Sequence, residues 1–307
     1  MSDQQLAARI RELKAERNAV VLAHNYQLGE VQDIADHVGD SLELSRLAAK
    51  APHDVIVFCG VRFMAETAAI LAPEKVVLQP ARDADCLMAR MADAAALREK
   101  KRAHPGAMVV CYVNTTAEVK AECDICCTSA NAAQVVEQVP PEKPVIFVPD
   151  QYLGRHVQQQ TGRKMILWSG YCPAHVRIQP NDIRALKRRH PEAKVIVHPE
   201  APQPVTALAD AVLSTGGMVR FARETEAQEI IVGTEIGMVH RLQRECPEKS
   251  FIPATEQAIC PDMKMTRLGD VLLSLAKMQF RITVPEEIRR RAEQAVQRMI
   301  AITEPVA

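Results

Sequence analysis

The chain nearly repeats itself every 86 to 88 residues, and that periodicity restricts the folds open to it more than any other feature. Three stretches align: VVLAHNYQ around His24, VVCYVNTT around Tyr112 and VIVHPEAP around His198, spaced 88 and 86 residues apart. Seventeen residues beyond each anchor stands a hydroxyl, at Ser41, Ser129 and Thr215. Sixty to 62 residues beyond each stands a cysteine, at Cys86, Cys172 and Cys260. Three like units carrying three equivalent thiols point to one shared metal centre where the units meet.

The length agrees with this division. At 307 residues a single core has stopped growing and several small domains are expected. Short β-branched runs alternate with amphipathic stretches: VVLA (20–23), VIVF (55–58), MVVCYV (108–113), PVIFV (144–148), KVIVH (194–198) and EIIVG (229–233) are among them. Continuous apolar strands separated by helices read as parallel sheets covered on both faces. The expected fold class is therefore α/β, with three similar three-layer α/β/α domains arranged with pseudo-threefold symmetry around a central site. The expected division is 1–88, 89–176 and 177–262 for the repeats, with 263–307 as C-terminal helices. In the last of these helices Ile288, Ala292, Ala295 and Met299 share one face, so the tail should pack back on the body.

Lys plus Arg and Asp plus Glu both number 38, and no basic tract studded with aromatics appears, which argues against nucleic acid as a partner. The charged, helix-periodic N-terminus does not read as a signal peptide, and apolar runs such as VIVF are too short for a bilayer. A cytoplasmic, non-membrane protein is expected. Nine cysteines without a secretion signal are better read as reduced thiols or metal ligands than as a disulfide framework.

Cys86, Cys172 and Cys260 each follow a strand-like run in a loop, and two precede proline. Their equivalence favours metal ligation over incidental burial. Three cysteines on a 4Fe–4S cube leave one iron open, able to act as a Lewis acid. The Cys-x-x-Cys-Cys run at Cys123, Cys126 and Cys127 invites a zinc or redox reading, yet no second pair completes a zinc site, and local packing is the better expectation. Cys59 and Cys111 lie inside strand runs and read as packing; Cys246 reads as a surface-loop thiol.

His24, Tyr112 and His198 fall at strand ends, where parallel α/β sheets bind ligands. Polar partners follow two residues on, at Tyr26, Asn114 and Glu200. Histidine and glutamate can trade protons near neutrality and tyrosine can donate to a developing oxyanion. The hydroxyls at 41, 129 and 215 fall where a helix begins, so three capped helix N-termini would converge on a polyanionic ligand. Thr215 with the two glycines after it could cradle a phosphate, although an ordinary helix start reads the same way. His53, His104, His190 and His240 read as solvated.

Taken together, AHNYQ, the Asp40-Ser41 helix start, FCGVRFMAETA, DADCLMA, YVNTTAEVKA, TSANA, WSGYCPAH, HPE, STGGM and CPDMKMT resemble the quinolinate synthase family, collinearly from about residue 20 to residue 270. The resemblance implies three α/β domains in a triangle around a 4Fe–4S cluster on Cys86, Cys172 and Cys260. It implies condensation of iminoaspartate with dihydroxyacetone phosphate in de novo NAD biosynthesis, with L-aspartate oxidase as functional partner. It places His24, Tyr26, Ser41, Tyr112, Asn114, Ser129, His198, Glu200 and Thr215 in the substrate cavity. Among these, Glu200 is expected as general base, His198 as its possible partner, and Tyr26 as an aid to the carbonyl or enol oxygens. The rival readings are a zinc-dependent hydrolase or aldolase on the same thiols, and an iron–sulfur sensor.

Overall fold

The computed structural model describes residues 1–302, and the chain passes through one set of elements three times. The first pass is α1 (Asp3–Glu16), β1 (Ala19–His24), α2 (Gly29–Ile34), β2 (His37–Gly39), α3 (Ser41–Lys50), β3 (Val55–Cys59), α4 (Arg62–Leu71) and β4 (Val76–Leu78). The second is α5 (Ala94–Ala103), β5 (Met108–Tyr112), α6 (Ala117–Lys120), β6 (Ile125–Cys127), α7 (Ala132–Glu137), β7 (Val145–Val148), α8 (Gln151–Thr161) and β8 (Ile166–Leu167). The third is α9 (Pro180–Arg189), β9 (Lys194–Val197), α10 (Gln203–Thr206), β10 (Ala211–Val212), α11 (Thr215–Glu224), β11 (Glu229–Gly233), α12 (Gly237–Glu245) and β12 (Ser250–Pro253). Helices α13 (Leu268–Lys277) and α14 (Glu286–Ala301) follow.

Each pass makes a parallel four-stranded sheet with the same strand order: β2-β1-β3-β4, β6-β5-β7-β8 and β10-β9-β11-β12. The α/β class expected from the alternating runs is what forms, and among the described residues no sheet closes into a barrel. The central strands β1, β3 and β7 are buried at every position and apolar except for His24 at the end of β1, as a sheet covered on both faces requires. Helix starts are written locally. The Asp40, Asp93, Asp150 and Ser214 side chains accept backbone N–H bonds from the first turns of α3, α5, α8 and α11, and Ser2 with Gln5 closes a capping box on α1.

The edge strands β2 and β10 escape a sequence reading because they are two or three residues long. What holds them is a fourth repeating residue. Asp36, Asp124 and Asp210 stand 88 and 86 residues apart, each just before its edge strand. The carboxylates accept from the N–H groups of Val21, Val109 and Val195 at 2.8, 2.7 and 2.8 Å, and their own N–H groups donate to the carbonyls of the same three valines. A two-way clasp of this kind fixes edge to centre where the strand is too short to do so alone.

The C-terminal helices pack back as the apolar face predicts. Ala292, Ala295 and Met299 are buried, with Val296 beside them and Ile288 partly covered. Helix α14 lies against α4, α6 and β6, and α13 shares a core with Ile10 and Leu13 of α1 and with β3. Two surface expectations are corrected. Cys246 is buried, because the end of amphipathic α12 turns it inward. His53, His104, His190 and His240 are half-buried; His190 pairs with Glu229, and His240 of α12 reaches Asp33 of α2, both at 3.0 Å.

Removing one clasp leaves a backbone N–H without its acceptor. Asp124→Ala should cost roughly 1–3 kcal/mol, read as a lower urea midpoint with an unchanged m-value.

Candidate functional site

The three sheets present their carboxyl ends to one cavity of about 120 Å³. All twelve residues singled out from the repeat and the motifs line it: His24, Tyr26, Ser41, Tyr112, Asn114, Ser129, His198, Glu200, Thr215, Cys86, Cys172 and Cys260. The repeat explains this. His24 and Tyr112 end β1 and β5, and His198 follows β9, so like positions in like units face the same space.

The two histidines are set by one local device used twice. The N–H of Tyr26 donates to His24 Nδ1 at 3.2 Å, and the N–H of Glu200 donates to His198 Nδ1 at 3.3 Å. A ring nitrogen that accepts carries no proton, so both imidazoles stand as the Nε2–H tautomer with that proton toward the cavity. Burial draws both down to about 3. They are therefore neutral hydrogen-bond donors at ordinary pH, a role that suits an anionic ligand better than proton abstraction. His198 Nε2 already meets Ser129 Oγ at 3.2 Å.

At the centre lies Glu200, 4% exposed. Tyr112 donates its hydroxyl to Oε1 at 2.5 Å. His175 Nδ1 lies 2.9 Å from Oε2, out of line for a hydrogen bond. Burial alone would raise this carboxyl, but His175 and the Tyr112 hydroxyl outweigh it and hold the group ionised. His175 Nε2 continues to Thr234 Oγ1 at 2.8 Å, and Tyr26 reaches the same hydroxyl at 2.6 Å. Tyr26 is held well above the ordinary phenol range by burial and by Glu200, so it is present as a proton donor. His175 and Thr234 were missed by sequence reasoning. His175 lies three residues past Cys172 and has no counterpart in the other units, so the repeat gave no signal for it.

The helix starts behave unequally. Asp40 and Ser214 cap α3 and α11, placing Ser41 and Thr215 in the first turns. Ser129 sits three residues ahead of α7, in a turn where Asn131 Oδ1 accepts from the N–H of Thr128 instead of capping the helix as expected. Gly216 has a close neighbour: a side chain there would meet Asp40 Oδ2 at 2.7 Å. It lets the first and third units approach, which is a packing reason for a glycine in that motif.

The three cysteines converge as well. All three line the one cavity, where charge on Cys86 or Cys260 would raise Cys172. Each sits at the mouth of a single 3₁₀ turn, at residues 89–91, 175–177 and 262–264. In each, the backbone N–H groups of that turn (Ala89, His175, Met263) offset part of the rise that burial gives the thiol. Burial pushes all three thiols up, Cys260 to about 11, so none holds a free thiolate without a cation. Three cysteine sulfurs lining one cavity, each at the start of a like turn, are the donor set an iron–sulfur cluster takes. A second set is also present: the ligand atoms of Cys172, His175 and Glu200 lie within 4.8 Å of one another.

The family model described as quinolinate synthetase A protein (NadA) matches residues 8–301. The chain belongs to that family. It is 61% identical over 297 residues to the quinolinate synthase of Dehalococcoides mccartyi strain CBDB1, covering 97% of this chain and 98% of the relative. It is 52% identical over 302 residues to the quinolinate synthases of Methanosarcina barkeri strain Fusaro and of Geobacter sp. strain M21, covering 98% of this chain and 99% of each relative. The family matches the expectation carried by the motifs. Among the described residues no helix is long and apolar enough to cross a membrane.

The histidine assignment has a pH signature. A folded-state value lowered to about 3 means the unfolded chain binds protons first as pH falls. The stability owed to neutral His24 and His198 is therefore complete above about pH 6.5 and is lost as pH falls toward 3. Nitrogen-15 spectra of labelled imidazoles should show both rings as the neutral Nε2–H form at pH 5; a cationic ring at that pH would refute the assignment.

Proposed function

We propose that this chain is a quinolinate synthase, condensing iminoaspartate with dihydroxyacetone phosphate to give quinolinate, phosphate and two waters. The sum balances without an oxidant or reductant. The observation that carries the proposal is the joint one: neutral hydrogen-bond donors and a buried carboxylate on the walls, and three thiols in the same cavity.

The substrates together bring two carboxylates and a phosphate. The Nε2–H of His24 and the hydroxyls of Ser41, Ser129 and Thr215 bind these anions, with Asn114 beside them and the first turns of α3 and α11 adding N–H dipoles. His198 donates to a substrate oxygen from its Nε2–H. Glu200 takes the proton from the carbon that forms the new bond, and Tyr26, backed by Thr234 and His175, donates to the carbonyl or enol oxygen. Cys86, Cys172 and Cys260 would hold a 4Fe–4S cluster, which when bound supplies a Lewis-acidic iron with an open position for a leaving hydroxyl. Delivery of the imine by an L-aspartate oxidase in the cytoplasm accords with this chemistry.

A second reading rests on the other donor set, a single metal ion on Cys172, His175 and Glu200, as a zinc hydrolase or aldolase would use. Metal content separates the two. Purified without oxygen, the wild-type protein should be brown with about four irons. Cys86→Ala, Cys172→Ala and Cys260→Ala should each be bleached and inactive, while Cys59→Ala and Cys246→Ala keep the colour. A colourless wild type holding zinc, retained in Cys260→Ala, would establish the second reading instead.

Glu200→Gln should keep the iron and lose turnover by about a thousandfold or more, the scale of a lost general base with its charge. Anaerobic quinolinate formation followed by chromatography measures this, and activity near wild type would remove Glu200 from the role of base.

A further inference from the structure

Tyr26 is held at both ends of the residue. Its hydroxyl meets Thr234 Oγ1 at 2.6 Å. Its backbone carbonyl accepts from Lys264 Nζ at 2.5 Å, and Lys264 stands four residues past Cys260, in the 3₁₀ turn at 262–264. The first contact orients the phenol, and the second fixes the backbone from which it projects. Lys264 itself is not among the residues lining the cavity.

Glu235, fully buried just after β11, sets the ammonium. Its Oε1 accepts from the N–H of Cys260 at 3.1 Å, and its Oε2 accepts from the N–H of Gly237 at 2.7 Å and from Lys264 Nζ at 2.9 Å. Nζ is also 2.9 Å from Oε1. A buried ion pair holds when its geometry is fixed and its remaining lone pairs are served, and here two backbone N–H groups serve them. Gly237 makes the approach possible, because a side chain there would meet the Tyr26 carbonyl oxygen at 2.7 Å and Lys264 Nζ at 2.8 Å. Gln32 Nε2 ties the same two segments from the other side, donating to the carbonyls of Asn25, Gln27 and Gly237 at 3.1, 2.9 and 3.0 Å. Asp262 of the turn accepts from the N–H of Asp85 at 3.3 Å, and Asp85 from that of Cys86 at 2.8 Å. The equivalent positions in the other cysteine turns are Arg90 and Val176, and Arg90 pairs with Asp85 at 2.8 Å, so the device belongs to the third unit.

We propose that Lys264, braced by Glu235, is a positioning residue for Tyr26: the turn that carries the third cysteine also fixes the loop that carries the proton donor. The donor role of Tyr26 is the one given under the proposed function, and the kinetic part of the inference rests on that reading. Lys264 acts through Tyr26, since its Nζ is committed to Glu235 and to the Tyr26 carbonyl. Releasing that carbonyl frees the phenol to leave Thr234, and a misplacement of about 1 Å lowers turnover by up to about a hundredfold.

Lys264→Met, Tyr26→Phe and the two combined, prepared as holoprotein without oxygen, make the test. Lys264→Met should lower kcat by about tenfold or more and leave KM within about threefold. Residues that act as one unit are not additive, so in the Tyr26→Phe background the same change should cost less than about twofold further. Lys264→Arg, which keeps the cation, should recover most of the turnover. Additive losses in the double variant, or an unchanged kcat in Lys264→Met, would overturn the proposal. A crystal structure of Lys264→Met needs no turnover: the Tyr26 hydroxyl should lie beyond hydrogen-bond reach of Thr234 Oγ1, and a phenol still at 2.6 Å would overturn the proposal as well. A wild type that forms no quinolinate, with the phenol displaced in the variant, would overturn the proposed function and uphold the positioning role. Should Lys264→Met fail to fold because Glu235 is left buried without its counter-charge, Lys264→Met combined with Glu235→Gln takes its place in every comparison.

Discussion

A carboxylate taken out of water must be repaid by partners in fixed positions, and Glu200 is where this chain meets that demand. Its two oxygens are served from the second unit and from the turn after it, by the Tyr112 hydroxyl and by His175. Withdrawing either partner leaves a buried charge uncompensated, a loss of several kcal/mol. The units therefore face one another around this group; Thr234 and Tyr26 connect to it through His175, and His198 accepts from its backbone N–H. Other buried interunit bonds, such as Asn25 to Thr215 at 2.9 Å and the Glu66 carboxylate accepting from the N–H of Ala117 at 3.0 Å, hold the same arrangement.

Repetition supplied parts, and divergence assigned them. The imidazole held by a backbone N–H two residues ahead occurs in the first and third units, and gives two neutral donors. The second unit replaces that imidazole with Tyr112, whose hydroxyl is spent on Glu200. The cysteine turns stay alike in all three, each leading into a single 3₁₀ turn at the cavity.

Much of the fold was legible in the sequence because it is written in short-range signals. Fully apolar runs gave the central strands, and the apolar stripe of 286–301 gave the helix that closes on α4 and α6. The short edge strands were not legible, since their pairing depends on Asp36, Asp124 and Asp210 clasping valines 15 residues away. Those aspartates do keep the 88- and 86-residue spacing and could have been found by extending the alignment one column. Cys246 misled because helix phase at a C-terminus depends on what the helix packs against. Ser129 misled because the turn before α7 spends Asn131 on Thr128.

By itself the sequence determined the repeating α/β units, the family, and the membership of the cavity, because equivalent positions in equivalent units must face a common axis. Only the tertiary structure decided the chemistry of each member. Burial made His24 and His198 neutral donors, the neighbouring His175 and Tyr112 kept Glu200 ionised, and the fold brought His175 and Thr234 to Tyr26 from segments 149 and 208 residues away. Protonation and partnership are set by local desolvation and by distances across the fold, and neither can be read along a chain.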